Sequence, residues 1–287
     1  MNKFISFFLR DSFIRCVLSF CAILCTIPIF LIFAFIIYQA WPALRDIGVL
    51  EFLVGTAWKP TETPPHFGVF FMITGSIVVT LIAMIFAMAI GLGTSIYLVF
   101  FCKPRIAGII NQAVSLLASI PSVVYGFWGI MIVVPMIRNI FGGNGNSVLA
   151  ASIVLSIIIL PTVISLNIAA LQAVPRQYLE GALALGSQPE EAIFSIMLRA
   201  AKPALVNAFI LTLGRAIGET TAVVLVAGNA NIFPKLLKPV RTLTANIALE
   251  MGYASGLHYN AIVASGAVLF IIVLVLNLSA KNISTRI

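Results

Sequence analysis

Charge is what this chain has least of. Only 9% of its 287 residues are Asp, Glu, Lys or Arg, where a soluble domain carries about 25%. A water-facing surface cannot be built from so few charges. Hydrophobic residues make up 61%, and the mean hydropathy is +1.12. Lipid must therefore solvate much of the protein. Backbone groups in lipid have to bond internally, which leaves helices or a closed barrel. A barrel would show segments of alternating polarity about ten residues long. The apolar runs here are long and unbroken, so the expectation is an all-α integral membrane protein.

Other absences exclude chemistries. No Gly-Lys pair occurs, so there is no phosphate-binding P-loop, and no HExxH or Ser/His/Asp constellation is visible. The chain is not expected to be an enzyme or to carry a cofactor or metal. The two histidines, His66 and His258, read as interfacial. The four cysteines, Cys16, Cys21, Cys25 and Cys102, have no metal-type spacing. They read as small buried hydrophobes. The net charge of +8 needs no nucleic-acid partner, because bilayer proteins concentrate Lys and Arg on cytoplasmic loops.

A span needs about 20 apolar residues. Charge-free stretches trimmed at turn residues predict six, near 16–39, 70–99, 108–135, 148–172, 204–227 and 258–279, in one membrane domain over 1–287. The first is too long for a signal-peptide core and reads as a retained helix. An even number of spans puts both termini on one side. That side carries Lys3, Arg10, Arg15, Lys103, Arg105, Arg176, Arg199, Lys202, Lys281 and Arg286. The other carries Arg45, Lys59, Arg138, Lys235, Lys238 and Arg241. The bias predicts cytoplasmic termini. Pro121 and Pro161 fall within spans and predict kinks. The stretch Ser119-Ile-Pro-Ser-Val-Val-Tyr-Gly126 reads as a bent, partly polar part of the third helix, either a packing adaptation or a pathway wall.

Arg215 and Glu219 are the unusual charges. With the fifth helix entering near Pro203, Arg215 lies about 18 Å in, near mid-bilayer. A central Arg costs at least about 2.5–3.5 kcal/mol. Glu219 is expected one turn on, along the same helical face. Such a pair is either a structural lock between helices or part of a substrate pathway, and intramembrane charges mark pathways. A guanidinium offers a planar fork of donors suited to oxyanions. Gly214 and Gly218 bracket Arg215 in a G-x-x-x-G, which lets a second helix approach, within the subunit or from another. Lys235, Lys238 and Arg241 follow in an outer loop, fitted either to draw an anion inward or to a solvated loop.

The most polar inner segment is 173–203. It reads as two short helices broken near Gly186, with Gly186 as a C-terminal cap. Ser187 is the expected N-cap of the second, with Glu190 completing a capping box. Within it, Glu180-Gly181-Ala182, three residues, Gly186, nine residues and Ile196-x-Leu198 resemble the "EAA" loop of ABC-importer permeases, E-A-A-x3-G-x9-I-x-L-P. Gly181 and Arg199 depart from that pattern. Ile120-Pro-Ser-Val-Val-Tyr-Gly-Phe-Trp-Gly129, Gly214-Arg-Ala-Ile-Gly-Glu-Thr-Thr-Ala-Val223 and Gly228-Asn229 extend the resemblance. They narrow it to phosphate-importer permeases of the PstC type, with the PstA type as close competitor.

The resemblance implies a six-helix type I (MetI-like) permease fold that moves inorganic phosphate by alternating access. It implies a heterodimer with a PstA-type sister subunit and two PstB-type ATPases gripping the loop that contains Glu180, Gly181, Ala182, Gly186 and Ser187. A PstS-type phosphate-binding protein would dock outside. Arg215 and Glu219 carry over as pathway residues. A permease for another oxyanion, an ion-gradient-driven transporter and a phosphate-signalling scaffold are the competing readings.

Overall fold

Thirteen helices and one short hairpin make up the computed structural model, which describes the backbone of residues 2–284 and the side chains of 14–279. Lys3, Arg10, Lys281 and Arg286 fall outside the described side chains. Helix α1 (Asn2–Ile47) is followed by α2 (Val49–Val54) and a hairpin of β1 (Trp58–Lys59) and β2 (His66–Phe67). Next come α3 (Phe70–Ile96), α4 (Pro104–Ser119), α5 (Ser122–Trp128), α6 (Val134–Phe141) and α7 (Val148–Gln172). Helices α8 (Gln177–Ala184), α9 (Pro189–Ala192) and α10 (Leu198–Ile217) lead to α11 (Thr221–Val226), α12 (Leu243–Glu250) and α13 (Gly256–Ser284). Wide π turns at Tyr97–Phe101, Gly129–Val133 and Ile193–Met197 extend α3, join α5 to α6 and join α9 to α10.

Six of the resulting rods are long and apolar enough to cross a membrane: Ile14–Ile47, Phe70–Phe101, Ser122–Phe141, Val148–Gln172, Pro189–Ile217 and Gly256–Ser279. Two depart from expectation. The third breaks at Ser119–Pro121 and does not merely bend, so α4 is a separate helix. Pro121 has no amide proton and disfavours helical geometry in the residue before it. Ile120 accordingly sits at ψ 127° and Pro121 at ψ 138°. The fifth begins at Pro189, well before 204, and ends at Ile217. Helix geometry resumes only at Thr221.

Helix α7 is the central post. Its core face meets α3, where a Cβ on Gly91 would fall 2.5 Å from Val163 Cγ1, so only glycine allows this approach. Its first turn is capped by the Ser147 side chain, which accepts from Ala150 N, and by the Lys238 and Leu236 carbonyls, which accept from Val148 N and Leu149 N. Four orphan amides at a helix start need such acceptors. A second cluster joins α1, α2, the hairpin, α3 and α13 through Ala40, Phe52, Trp58, Phe67, Met72 and Ile262. Helix α1 packs on α13, with Phe33 and Phe270 rings 5.1 Å apart, and otherwise presents apolar residues outward. Cys16, Cys21 and Cys25 are exposed on it, which corrects the expectation that they are buried.

The bundle has two ends. One carries the 173–188 segment and the other the hairpin.

Candidate functional site: the broken spans

The broken spans lie side by side. A Cβ on Gly126 of α5 would stand 2.6 Å from Leu225 Cδ1 and 3.0 Å from Ala222 Cα. One on Gly129 would stand 2.7 Å from both Val154 Cγ2 and Val226 Cγ1. Glycine at these two positions brings the post-break segments α5 and α11 almost to backbone contact. Each of these segments starts just after a break, Ser119–Pro121 for one and Gly218–Thr220 for the other.

Arg215 occupies the last turn of α10, where a cation opposes the negative end of the helix dipole. Its side chain is exposed. Glu219 is half-buried and lies beyond the end of α10. The expected shared helical face is therefore absent, because the helix stops at Ile217. Among the described residues no ion pair joins the two. The Glu219 carboxylate turns the other way and accepts from Ala222 N at 3.5 Å, at the start of α11. Gly214 faces α13 of the same chain, where an added Cβ would stand 3.9 Å from Asn277 and Val273. Gly218 meets only its own helix's carbonyls. The G-x-x-x-G thus serves helix packing inside the subunit on its Gly214 side.

The three outer basic residues separate. Lys235 and Lys238 are exposed. Arg241 is held: its Nη1 donates to Glu250 Oε1 at 2.6 Å and to Asn246 Oδ1 at 3.1 Å, and its Nε donates to the Asn229 carbonyl at 2.9 Å. Glu250 Oε2 also accepts from Trp58 Nε1 at 2.8 Å and lies 2.8 Å from His258 Nε2. Glu250 is 5% exposed. Arg241 is therefore a structural cation whose charge is satisfied within the fold, and a solvated steering role does not fit it. His258 belongs to the same cluster. Sequence reasoning missed this network. Its one available signal was that Glu250 is the only acid between 228 and 257, which obliges it to find a cation.

At the opposite end, α8 finishes in a glycine cap. Ser187 N donates to the Ala182 carbonyl, Gly186 N donates to Leu183, and Gly186 sits at φ 89°. This is the paired-bond closure that favours glycine. Ser187 is thus used by the end of α8 and is not the N-cap of α9. That position falls to Gln188, whose side chain makes no capping bond. Pro189 at the first position sets the turn in place of the expected capping box. Ala182 is buried, while Glu180 and Gly181 are exposed. Glu180 and Arg176 border a cavity of about 490 Å³ beneath α8, walled by Phe100, Leu171 and Met197.

The chain is similar to known proteins in sequence and in fold. Residues 91–287 match the family described as "Binding-protein-dependent transport system inner membrane component". The chain is 34% identical over 247 residues to the probable ABC transporter permease protein YqgH of Bacillus subtilis, covering 85% of this chain and 80% of that one. It is 36% identical over 251 residues to the phosphate transport system permease protein PstC of Xylella fastidiosa, covering 80% and 76%. Among solved structures, a bacterial ABC transporter that imports the acidic polysaccharide alginate superposes with a TM-score of 0.65 at 17% identity, over 97% of this chain and 99% of that one. The inward-facing MetNI methionine ABC transporter gives 0.59 at 21%, over 74% and 92%. The structural likeness shows a shared ABC-importer permease fold. With six membrane-crossing helices on that fold and the family match across residues 91–287, the chain belongs to the binding-protein-dependent transport system inner membrane component family, as a multi-pass protein of the inner membrane.

Proposed function

We propose that the chain is the PstC-type permease subunit of an ATP-driven importer that carries inorganic phosphate into the cytoplasm. One observation carries the reading. Arg215 ends a membrane-crossing helix with its guanidinium exposed and without an ion-pair partner among the described residues. An Arg left against hydrocarbon is costly. Its place is therefore in a polar passage, where a tetrahedral oxyanion can take its forked donors. Glu219, engaged with the start of α11, leaves those donors available to the anion and borders the same break. The curated relatives named as phosphate permeases support the substrate class.

The remaining parts follow from the resemblance. A PstA-type sister subunit closes the passage. Two PstB-type ATPases grip the 173–203 loop through Glu180, Gly181, Ala182, Gly186 and Ser187, so that loop and both termini are cytoplasmic. A PstS-type phosphate-binding protein docks at the hairpin end, where Lys235 and Lys238 draw the anion inward. The ATP is hydrolysed by the partners.

The test is uptake of labelled phosphate, sulfate and molybdate into proteoliposomes holding the assembled transporter, with Arg215→Ala beside the native chain. The expected result is ATP-dependent phosphate uptake that Arg215→Ala abolishes while assembly is normal. Dominant uptake of another oxyanion overturns the substrate, uptake without the ATPase overturns the energy source, and normal uptake by Arg215→Ala overturns the pathway.

A further inference from the structure

Helix α12 is eight residues long and fastened at both ends. At its first turn the direction of each hydroxyl follows from counting protons. Thr244 Oγ1 gives its single proton to the Glu219 carbonyl at 3.1 Å, since a carbonyl only accepts. Thr242 Oγ1 accepts from Ala245 N at 3.2 Å and lies 3.1 Å from Thr244 Oγ1. Thr242 must then donate to Thr244. A one-way relay runs from the Ala245 amide through two threonines to the backbone of Glu219. Leu243 N donates to Ser76 Oγ at 2.9 Å and Ser76 donates to the Met72 carbonyl at 2.8 Å, so the same turn is tied to α3. At the last turn stands Glu250, bonded to Arg241, Trp58 and His258. Thr242, Thr244, Asn246 and Glu250 are all buried, which makes each unfilled bond expensive.

We propose that α12 is a strut that sets the Gly218–Thr220 break from the hairpin end, with Thr244 the positioning residue for the break beside Arg215 and Glu250 its anchor. Trp58 belongs to the hairpin and His258 to the start of α13. A displacement of either pulls on Glu250. The rigid helix carries that pull about 10 Å, at 1.5 Å per residue. It arrives at the carbonyl of Glu219, in the link between Arg215 and α11. Whatever docks on the hairpin end thereby biases the geometry of the break. The inference rests on Arg215 lining the passage, and its test keeps the two apart.

Thr244→Val keeps the shape but removes the hydroxyl, and with it the bond to Glu219 and the one accepted from Thr242; Thr244→Ser restores both, and Glu250→Gln weakens the anchor. Each is assembled with its partners in proteoliposomes, and Vmax and KM for inorganic phosphate are measured beside thermal stability. Of the two bonds, the one to Glu219 acts during turnover, and its loss lowers Vmax about fivefold, with KM and assembly unchanged. Thr244→Ser recovers the rate. The double variant Thr244→Val/Glu250→Gln is no slower than the worse single, because both act through one strut. Native Vmax in Thr244→Val, or losses that multiply in the double variant, overturn the strut. Should Thr244→Val assemble poorly, Glu250→Gln carries the same Vmax-against-KM test alone. If Arg215→Ala abolishes uptake while both strut variants run normally, only the strut falls. If Arg215→Ala also runs normally, the passage itself is misplaced.

Discussion

Replacing Arg241 by alanine separates a structural cation from a steering one. The substitution removes three bonds: to Glu250 at 2.6 Å, to the Asn229 carbonyl at 2.9 Å and to Asn246 at 3.1 Å. Hydrogen bonds to charged groups are worth about 1.5–3 kcal/mol, and stripping one partner from a buried ion pair costs about 3–5 kcal/mol. Two facts pull the value down. Glu250 keeps Trp58 and His258, and the Arg241 side chain retains 21% exposure, through which water can enter. The expected loss is therefore about 3 kcal/mol. Arg241→Lys should lose less, about 1–2 kcal/mol, since an ammonium keeps the charge but cannot span Glu250 and Asn229 as a planar fork does. The assay is thermal or SDS denaturation of the purified complex, with Lys235→Ala/Lys238→Ala as the exposed control, expected within about 0.5 kcal/mol of native. If Arg241→Ala proves as stable as that control and instead raises KM in a salt-sensitive way, the buried-pair reasoning is wrong and steering is right.

Three further outcomes follow from glycine geometry. Gly126→Ala places a methyl 3.0 Å from the Ala222 backbone, which cannot turn aside. About 1–3 kcal/mol of overpacking is expected, read as lower complex stability and slower uptake. In α8, Gly181→Ala meets nothing within 4 Å and should stabilise by about 0.5–1 kcal/mol through helix propensity. The same change at Gly186, φ 89°, should destabilise by about 1–2 kcal/mol. Thermal unfolding of the complex reads both, and equal effects at the two positions would contradict the cap geometry.

Hydrophobic runs made the spans legible, because a bilayer imposes length and apolarity together. The breaks at Ser119–Pro121 and Gly218–Thr220 were not legible, since the few polar residues there fit a continuing helix as well as an interrupted one. Pro121 announced only a bend, and whether its lost bond kinks or severs a helix depends on what neighbours supply. Arg215 stood out as a charge in an apolar run. Its pairing with Glu219 was misjudged because one missing helical turn redirects a side chain completely. Arg241, Glu250, His258 and Trp58 lie up to 200 positions apart in the chain, and no local pattern links them. Ser187 had the right chemistry for a cap, but Gly186 and Pro189 on either side of it had already fixed the backbone.

The three wide turns each hold one residue more than an α-helix needs, visible in amide bonds reaching five residues back from Cys102, Val134 and Leu198. Such single wide turns inside α-helices recur at functional sites. The Ile193–Met197 turn lies on the rod between the 173–188 elbow and Arg215. One residue more shifts the phase of all that follows by about 100° relative to an unbroken α-helix. The face of α10 on which Arg215 stands is therefore set by this turn as well as by the residues of α10 itself.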